Sequence, residues 1–187
     1  MSAHHRYYSR RALSEVCVEL VEDRLAFLSD WCALYENLVR RHDISGPADF
    51  MRENFQELFR LEELVIVKAV AGERVVGAHL WMRQGDVVHS HLAASSDEGY
   101  ALSCAYAIHW KSLEYFAESA AWLNLGGVAG LMDEPAHGLR TFKKGWSTNT
   151  RPAWFCASIF QPEIYRQLCG ELQGETGKHF FPGYRNK

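Results

Sequence analysis

The spacing of apolar positions changes along the chain and predicts an order of helices and strands. A loose alternation predicts a first strand within residues 11–21. Apolar residues at helical spacing predict an amphipathic helix over Leu25–Arg41 and a second one around Met51–Phe59. Three β-branched runs with short glycine-containing turns then predict an antiparallel meander, formed by Leu64–Val70, Val75–Met82 and Val87–Ala93.

The second half of the pattern predicts one long helix followed by shorter elements. Gly99–Glu118 is apolar nearly all round, which is typical of a buried helix. If the run Ala121–Leu125 is a strand, the long helix connects it to the last meander strand as a parallel neighbour. The remaining predicted elements are a short helix at Gly138–Gly145, a strand at Ala153–Phe160 and a helix at Pro162–Leu172. The fold class predicted is α+β, with helices on a mostly antiparallel sheet.

Composition narrows the class of protein. A chain of 187 residues is predicted to be a single domain over 1–187, and its 48% hydrophobic and 23% charged residues exclude a disordered or collagen-like chain. The net charge of −3 argues against a basic coat over the whole surface. No apolar run approaches the ~20 residues of a membrane span, and no apolar stretch follows the N-terminal charges as in a secretory signal. Scattered cysteines without a C-x-x-C pair complete the prediction of a cytoplasmic protein.

Two short motifs carry a resemblance to a known family. Residues 123–127 read Leu-Asn-Leu-Gly-Gly, and residues 138–146 read Gly-Leu-Arg-Thr-Phe-Lys-Lys-Gly-Trp. Together they resemble the Fem-type aminoacyltransferases, in the FemAB-like branch of the GNAT acyltransferases. That branch typically shows an Asp-Leu-Gly-Gly strand and a Gly-Leu-x-x-Phe-Lys-x-Gly-Phe turn, so Asn124 and Trp146 depart from its pattern. The likeness runs from about Leu64 to the end of the chain and includes Ser95–Gly99, Pro162–Tyr165 and Phe180–Arg185.

The resemblance implies a GNAT-like fold and an acyltransferase. In the family, an amine on an acceptor attacks an amino acid esterified to tRNA, and a peptide bond forms. The implied partners are therefore an aminoacyl-tRNA, as co-substrate in place of any resident cofactor, and a peptide or peptide-like acceptor. Fem-type enzymes carry two GNAT-like halves, whereas 187 residues hold one, which matches their second half. The missing half weakens the expectation that the acceptor is a peptidoglycan precursor, as is usual in the family. A homodimer would replace that half.

The matched turn also implies site residues. Lys143 is the expected catalytic cation, and spacing alone does not separate it from Lys144; the alternative is that both are solvated surface lysines. A fixed cation would stabilise the oxyanion of the tetrahedral intermediate. Arg140 and Arg151 extend this basic stretch, which suits a tRNA acceptor stem. The substrate-binding residues predicted here are Phe142, Arg140, Asn124, Trp146, His89, His91 and Arg151.

Histidines and carboxylates leave some roles open. An even hairpin loop about Gln84–Gly85 would place His89 and His91 on one face of the sheet and His79 on the other, so no metal site is predicted. His89 and His91 are instead expected to line the cleft, as relays of protons or as ordinary strand histidines. Candidate general bases are Asp133, Glu134 and Glu98, with proton loss to water as the alternative.

The junction before the long helix bears on the acyl donor. Ala93–Tyr100 contains one glycine, no arginine, and the carboxylates of Asp97 and Glu98. These carboxylates suit a helix N-terminus and would repel the pyrophosphate of acetyl-CoA. The junction therefore argues against acetyl-CoA in the usual pose and favours a different acyl donor, which the resemblance implies to be an aminoacyl-tRNA. The alternatives are an acyl-CoA-dependent N-acetyltransferase with an atypical pyrophosphate loop, and a non-catalytic binding module that has kept the fold.

Overall fold

A computed structural model describes residues 1–46, 49–127, 137–152, 154, 156–169 and 182–185. The chain divides into two compact units, Met1–Thr148 and Asn149–Lys187. The first unit holds the sheet and most of the helices described below. The single domain over 1–187 therefore stays a prediction.

The first unit is built on a five-stranded sheet whose strands follow one another in chain order. The first four strands pair antiparallel, and the last two pair parallel, as the sequence predicted. Gly72 and Gly85 have φ of 59° and 60° in the two hairpin turns, a conformation that favours glycine. The strands are β1 Cys17–Leu20, β2 Leu64–Ala71, β3 Arg74–Gln84, β4 Val87–Ser95 and β5 Trp122–Asn124.

Helices connect and cover the strands, which confirms the α+β class. Those of the first unit are α1 Ala3–Leu13, α2 Leu28–His42, α3 Arg52–Leu58, α4 Asp97–Ala101, α5 Cys104–Phe116 and α6 His137–Trp146. Within the second unit, α7 Pro162–Cys169 is followed by a 3₁₀ turn at Gly183–Arg185, where the amide of Gly183 donates to the Tyr165 hydroxyl at 2.8 Å. None of the helices described combines the length and the apolar character that a membrane crossing needs.

Alternation along the strands creates a separate core on each face of the sheet. On one face, α1 and α5 pack against residues that include Val67, Ala69 and Trp81. On the other face, α2 and α3 pack against residues that include Ile66 and Leu80. Successive strand residues point to opposite faces, so the meander supplies both cores at once.

The beginning of the chain differs from the prediction. The expected strand over 11–21 is confirmed only at Cys17–Leu20, because α1 continues to Leu13. The buried face of α1 carries His5, Ser9 and Ala12, which are polar or small, so it shows no apolar stripe. Local signals of this helix are nevertheless present: the Ser2 side chain accepts from the amide of His5 as an N-cap, and arginines occupy the last turn.

Two later predictions are also wrong in part. The single helix expected over Gly99–Glu118 is broken between α4 and α5, where Ser103 adopts φ 59° without any glycine or proline to announce it. A strand was expected over Ala153–Phe160, but residues 154 and 156–160, which are the described part of that segment, contain no strand. Each of these residues is exposed, so this short apolar run predicted neither a strand nor a buried segment correctly.

Candidate active site

Strand β5 is much shorter than its neighbour β4, so most of one edge of β4 has no partner strand within the part of the chain that the structure describes. The two strands are paired as far as His89 and Asn124, after which β5 stops and β4 continues to Ser95. No other strand of the described residues pairs with this edge of β4. An unpaired strand edge exposes backbone donors and acceptors. The opening beside β4 beyond His89 is called the cleft below.

A tight turn after β5 closes one side of the cleft. The amide of Gly126, at φ 72°, donates to Asn124 Oδ1 at 2.8 Å. The Lys143 ammonium nitrogen reaches the same turn from α6 and donates to the Gly127 carbonyl at 2.7 Å. A side chain on Gly126 would bring its Cβ within 3.6 Å of Lys143 Nζ. The two matched motifs of the sequence therefore meet at one point in space.

The structure separates the two adjacent lysines of α6. Lys143 is half-buried, and this burial lowers the pKa of its ammonium group. Lys144 is exposed on the other side of the helix. Only Lys143 is held at the cleft, which supports it over Lys144 as the functional cation.

Aromatic packing fixes the helix that carries Lys143. Trp146 stacks on the His109 ring at 5.5 Å between centroids, and Phe142 meets the same ring edge-on at 4.8 Å. The Phe142 carbonyl accepts a hydrogen bond of 2.8 Å from His5 Nε2. Phe142 and Trp146 therefore anchor α6 against α1 and α5. The structure supports a role of both residues in positioning Lys143, whereas their contact with substrate stays a prediction.

Buried histidines lie behind the lysine. His79 stacks on Trp81 at 4.0 Å, and its Nε2 lies 2.9 Å from the Ser90 hydroxyl. Burial, with smaller contributions from the charges of His109, Lys143 and His91, lowers the pKa of His79 well below its ordinary value. Burial also lowers the pKa of His109 to about 4, although its hydrogen bond to the Ala105 carbonyl opposes the shift. Both rings are neutral at pH 7, so they add no positive charge beside Lys143.

The histidines of β4 are arranged differently from the prediction. The register shifts by one residue opposite Leu80 and Trp81, because Ser90 faces Trp81, Leu92 faces Leu80, and His91 is the extra residue of a β-bulge. The extra residue breaks the alternation, so the expected placement of His89 and His91 on one face no longer follows from their spacing. The charge of His91 also contributes a little to the lowered pKa of His79. Within the described part of the chain, no group of three or more metal-binding side chains forms.

Ser90 is the one cleft residue that sequence reasoning missed. The sequence pattern assigns it no role, yet its hydroxyl lies 2.9 Å from Nε2 of the buried His79 ring. The available signal was a polar residue among buried strand positions, close to three histidines. The β-bulge that orients Ser90 has no signal in the sequence.

The roles of the remaining predicted arginines stay predictions, and so do those of two of the candidate bases. Arg140 is exposed on α6, in the same helix as Lys143. Arg151 belongs to the second unit and is exposed there. Asp133 and Glu134, the loop candidates for a base, lie outside the described residues. Glu98 forms a bidentate ion pair with Arg74 at 3.0 and 2.7 Å, which lowers the pKa of Glu98 and makes it a poor base.

The start of α4 fits the pyrophosphate of a CoA thioester poorly. Ser96 already caps this helix by accepting from the Gly99 amide at 3.1 Å. Its first two residues are acidic, and they pair outward with arginines: Asp97 with Arg41 at 3.4 Å, and Glu98 with Arg74. Paired carboxylates occupy this helix start, and the hydroxyl of Ser96 already uses the Gly99 amide, so these groups do not form a cradle of free donors for a pyrophosphate.

Close packing gives α4 little freedom to rearrange for a phosphate. Any side chain on Gly99 would overlap the carbonyl oxygen of Val76 in β3. The last residue of β4 is also tied down, because Asn37 of α2 donates to the Ser95 carbonyl at 2.8 Å. The junction therefore lies tightly between β3 and α2.

A family model described as an acetyltransferase (GNAT) domain matches residues 2–144. No curated protein matches the chain. The match covers the five-stranded sheet, α1 to α5 and the part of α6 that carries Lys143.

Solved structures of similar fold include three proteins of low sequence identity. FemX has a TM-score of 0.63 at 14% identity; the match covers 78% of this chain and 53% of FemX, so the chain spans about half of that protein. An aminoglycoside acetyltransferase, meta-AAC0020 from an uncultured soil metagenomic sample, has 0.59 at 9%, over 79% of this chain and 98% of its own. The ribosomal-protein-alanine N-acetyltransferase of Brucella melitensis biovar Abortus 2308 has 0.55 at 12%, over 77% and 97%.

Proposed function

Since this chain belongs to the family of acetyltransferase (GNAT) domains, we propose that it is an acyltransferase whose donor is an aminoacyl-tRNA. The acceptor is the amine of a peptide or peptide-like molecule, and the product is an amide. Family membership confirms the GNAT-like fold predicted from the sequence, whereas the Fem-type branch is part of this proposal. The observation that carries it is the acidic, capped start of α4.

The acidic start of α4 argues for a donor that does not present a pyrophosphate there. An aminoacyl ester at the end of a tRNA brings phosphates along a strand, at a distance from the reacting carbon, so it does not require that helix start. Exposed arginines on two neighbouring helices suit such a backbone: Arg140 lies on α6 with Lys143, and Arg6, Arg10 and Arg11 lie on α1, against which α6 packs.

In the proposed reaction Lys143 acts on the carbonyl oxygen. The acceptor nitrogen bonds to the ester carbonyl carbon, and the negative charge that develops on the oxygen is stabilised by the Lys143 ammonium. The C–O ester bond then breaks, and the tRNA hydroxyl oxygen leaves with the proton that the amine nitrogen releases. Partial burial strengthens the interaction between the cation and the oxyanion, because fewer waters screen it.

The structural neighbours support two donors to different degrees. FemX, whose name is that of the Fem-type proteins, has the highest TM-score of the three neighbours described. The other two are acetyltransferases by name and match almost over their full length. Their likeness supports a second candidate, transfer from an acyl-CoA held in a pose that avoids the α4 start.

One assay separates these functions. The full chain is mixed with tRNA charged with labelled amino acids and with an amine-bearing dipeptide, and amide products are identified by mass spectrometry. We expect product that disappears when the charged tRNA is first treated with RNase, and no product from acetyl-CoA with the same acceptor. Acetylated acceptor formed from CoA alone would overturn the tRNA proposal in favour of the second candidate. Absence of product from both donors would favour a binding module.

A further inference from the structure

The cleft begins at a pair of side chains that face each other across β4 and β5. Asn124 and His89 are partners in the parallel register, and Asn124 Nδ2 lies 3.2 Å from His89 Nδ1. This is the last pair of the two strands, because β5 ends at Asn124. Its hydrogen-bond polarity determines what the His89 ring offers to a bound molecule.

The direction of the Asn124 amide is fixed by a backbone group. The Gly126 amide has only a proton to give, and it donates to Asn124 Oδ1 at 2.8 Å. The opposite end of the side-chain amide, the NH₂ group, therefore faces His89. Since an amide nitrogen only donates, His89 Nδ1 must accept with its lone pair, and the neutral ring carries its proton on Nε2.

We propose that Asn124 is a positioning residue that holds His89 as its Nε2–H tautomer, so that His89 is a hydrogen-bond donor at the cleft and not a base. Nε2 lies across the ring from the bonded Nδ1 and is turned away from β5. A donor there fits a carbonyl oxygen of the acyl group or of the acceptor. This role rests on the proposed function, whereas the tautomer itself does not.

Nuclear magnetic resonance tests the tautomer directly. Full-length protein labelled with ¹⁵N at histidine is studied well above the usual histidine pKa of about 6.5, and the His89 signals are identified by their loss in a His89→Gln variant. We expect Nδ1 to show the unprotonated and Nε2 the protonated type of nitrogen. A protonated Nδ1 in the unmodified chain would overturn the proposal.

The decisive variant is Asn124→Asp, which keeps the shape of an exposed side chain. One carboxylate oxygen still accepts from the Gly126 amide, but the other now accepts as well, so His89 should move its proton to Nδ1. Asn124→Ala, as a matched control, removes the partner and should leave the two tautomers in exchange. An Asn124→Asp ring that stays Nε2–H would show that Asn124 does not set the tautomer.

Turnover with whichever acyl donor is active tests the role. His89→Gln retains an N–H donor near the place of Nε2, so we expect it to remain within about tenfold of the unmodified enzyme, while His89→Leu loses ~10²-fold or more. If His89 were a base, the glutamine variant would be as inactive as the leucine variant, and the donor role would be overturned. The tautomer result is independent of the donor, so it stands or falls separately from the tRNA proposal.

Discussion

Lys143 is the residue at which the proposed chemistry is most sensitive. Its ammonium nitrogen is fixed to the Gly127 carbonyl at 2.7 Å and is half-buried, whereas Lys144 is exposed. We expect Lys143→Ala to lower kcat by ~10²–10³, which is the usual cost of losing one oxyanion donor. The measurement is single-turnover kinetics with saturating acceptor.

The neighbouring lysine provides the control for that prediction. Lys144→Ala removes the same charge from the same helix without touching the cleft, so its kcat should stay near that of the unmodified chain. The free energies of unfolding of the two variants, measured with denaturant, should agree to within about 0.5 kcal/mol, because neither side chain belongs to the core. Equal losses of rate in the two variants would contradict a specific role for Lys143.

The buried imidazole of His109 makes the stability of the protein depend on pH. Burial lowers its pKa in the folded state to about 4, against about 6.5 in an unfolded chain. Between these values the unfolded chain binds a proton that the folded protein does not. The free energy of unfolding should therefore be highest above pH 6.5 and fall by roughly 3 kcal/mol as the pH drops to 4. His79, whose pKa is also lowered by burial, acts in the same direction.

Urea unfolding at a series of pH values measures this dependence. His109→Phe keeps an aromatic ring in the cluster but cannot bind the proton, so its loss of stability on acidification should be shallower by about the amount given above. Ile108→Val, on the same helix, is the control: it should cost about 0.5–1.5 kcal/mol at every pH. A His109→Phe variant with an unchanged pH slope would contradict this account.

At the scale of elements, α6 depends on a close approach to α1. A Cβ on Gly145 would overlap the His5 imidazole, which is buried and bonded to the Phe142 carbonyl. We expect Gly145→Ala to lower the free energy of unfolding by about 1–3 kcal/mol, because the overlap outweighs the better helix propensity of alanine. Denaturant unfolding monitored by tryptophan fluorescence gives the value.

Gly138 supplies a matched substitution in the same helix. No atom of the described residues lies within 4 Å of a Cβ built there, so Gly138→Ala should stabilise by about 0.5–1 kcal/mol. If Gly145→Ala were as stable as Gly138→Ala, α1 and α6 would not be in the close contact described.

Elements set by local pattern could be predicted from the sequence, whereas those set by tertiary contacts could not. The meander was predictable because β2 and β3 alternate between two cores and end at glycine turns. Helix α1 was missed because its buried face holds His5 and Ser9, whose burial depends on partners far away in the chain. The bulge at His91 is likewise set by pairing with β3 and not by local residue type. Period and turn chemistry therefore predict elements, while tertiary contacts decide their details.

At the scale of the whole molecule, the two motifs that carry the family resemblance lie next to each other in space. The Gly-Gly strand end and the Phe-Lys turn are separated in the sequence, yet Lys143 Nζ reaches the Gly127 carbonyl. That meeting follows from the GNAT-like fold that the resemblance implied and the family model supports. The tautomer of His89 and the contact of Ser90 with His79 were beyond sequence reasoning, since both arise from strand register.

The division into two units gives the last prediction. Both cores of the sheet are formed by residues between Ala12 and Phe116, so a fragment of residues 1–148 retains every buried side chain of the two clusters. We expect this fragment to unfold cooperatively, with a urea midpoint near that of the full chain. The measurement is circular dichroism on both proteins at the same concentration.

A fragment of residues 15–187 serves as the control, because it removes α1 with the buried His5, Ser9 and Ala12. This fragment should lose the cooperative unfolding transition. The removal of α1 opens the core beneath α5 and takes the His5 ring away from the Trp146 ring. If residues 1–148 also failed to unfold cooperatively, the second unit would be part of one folding domain over 1–187, as the sequence predicted.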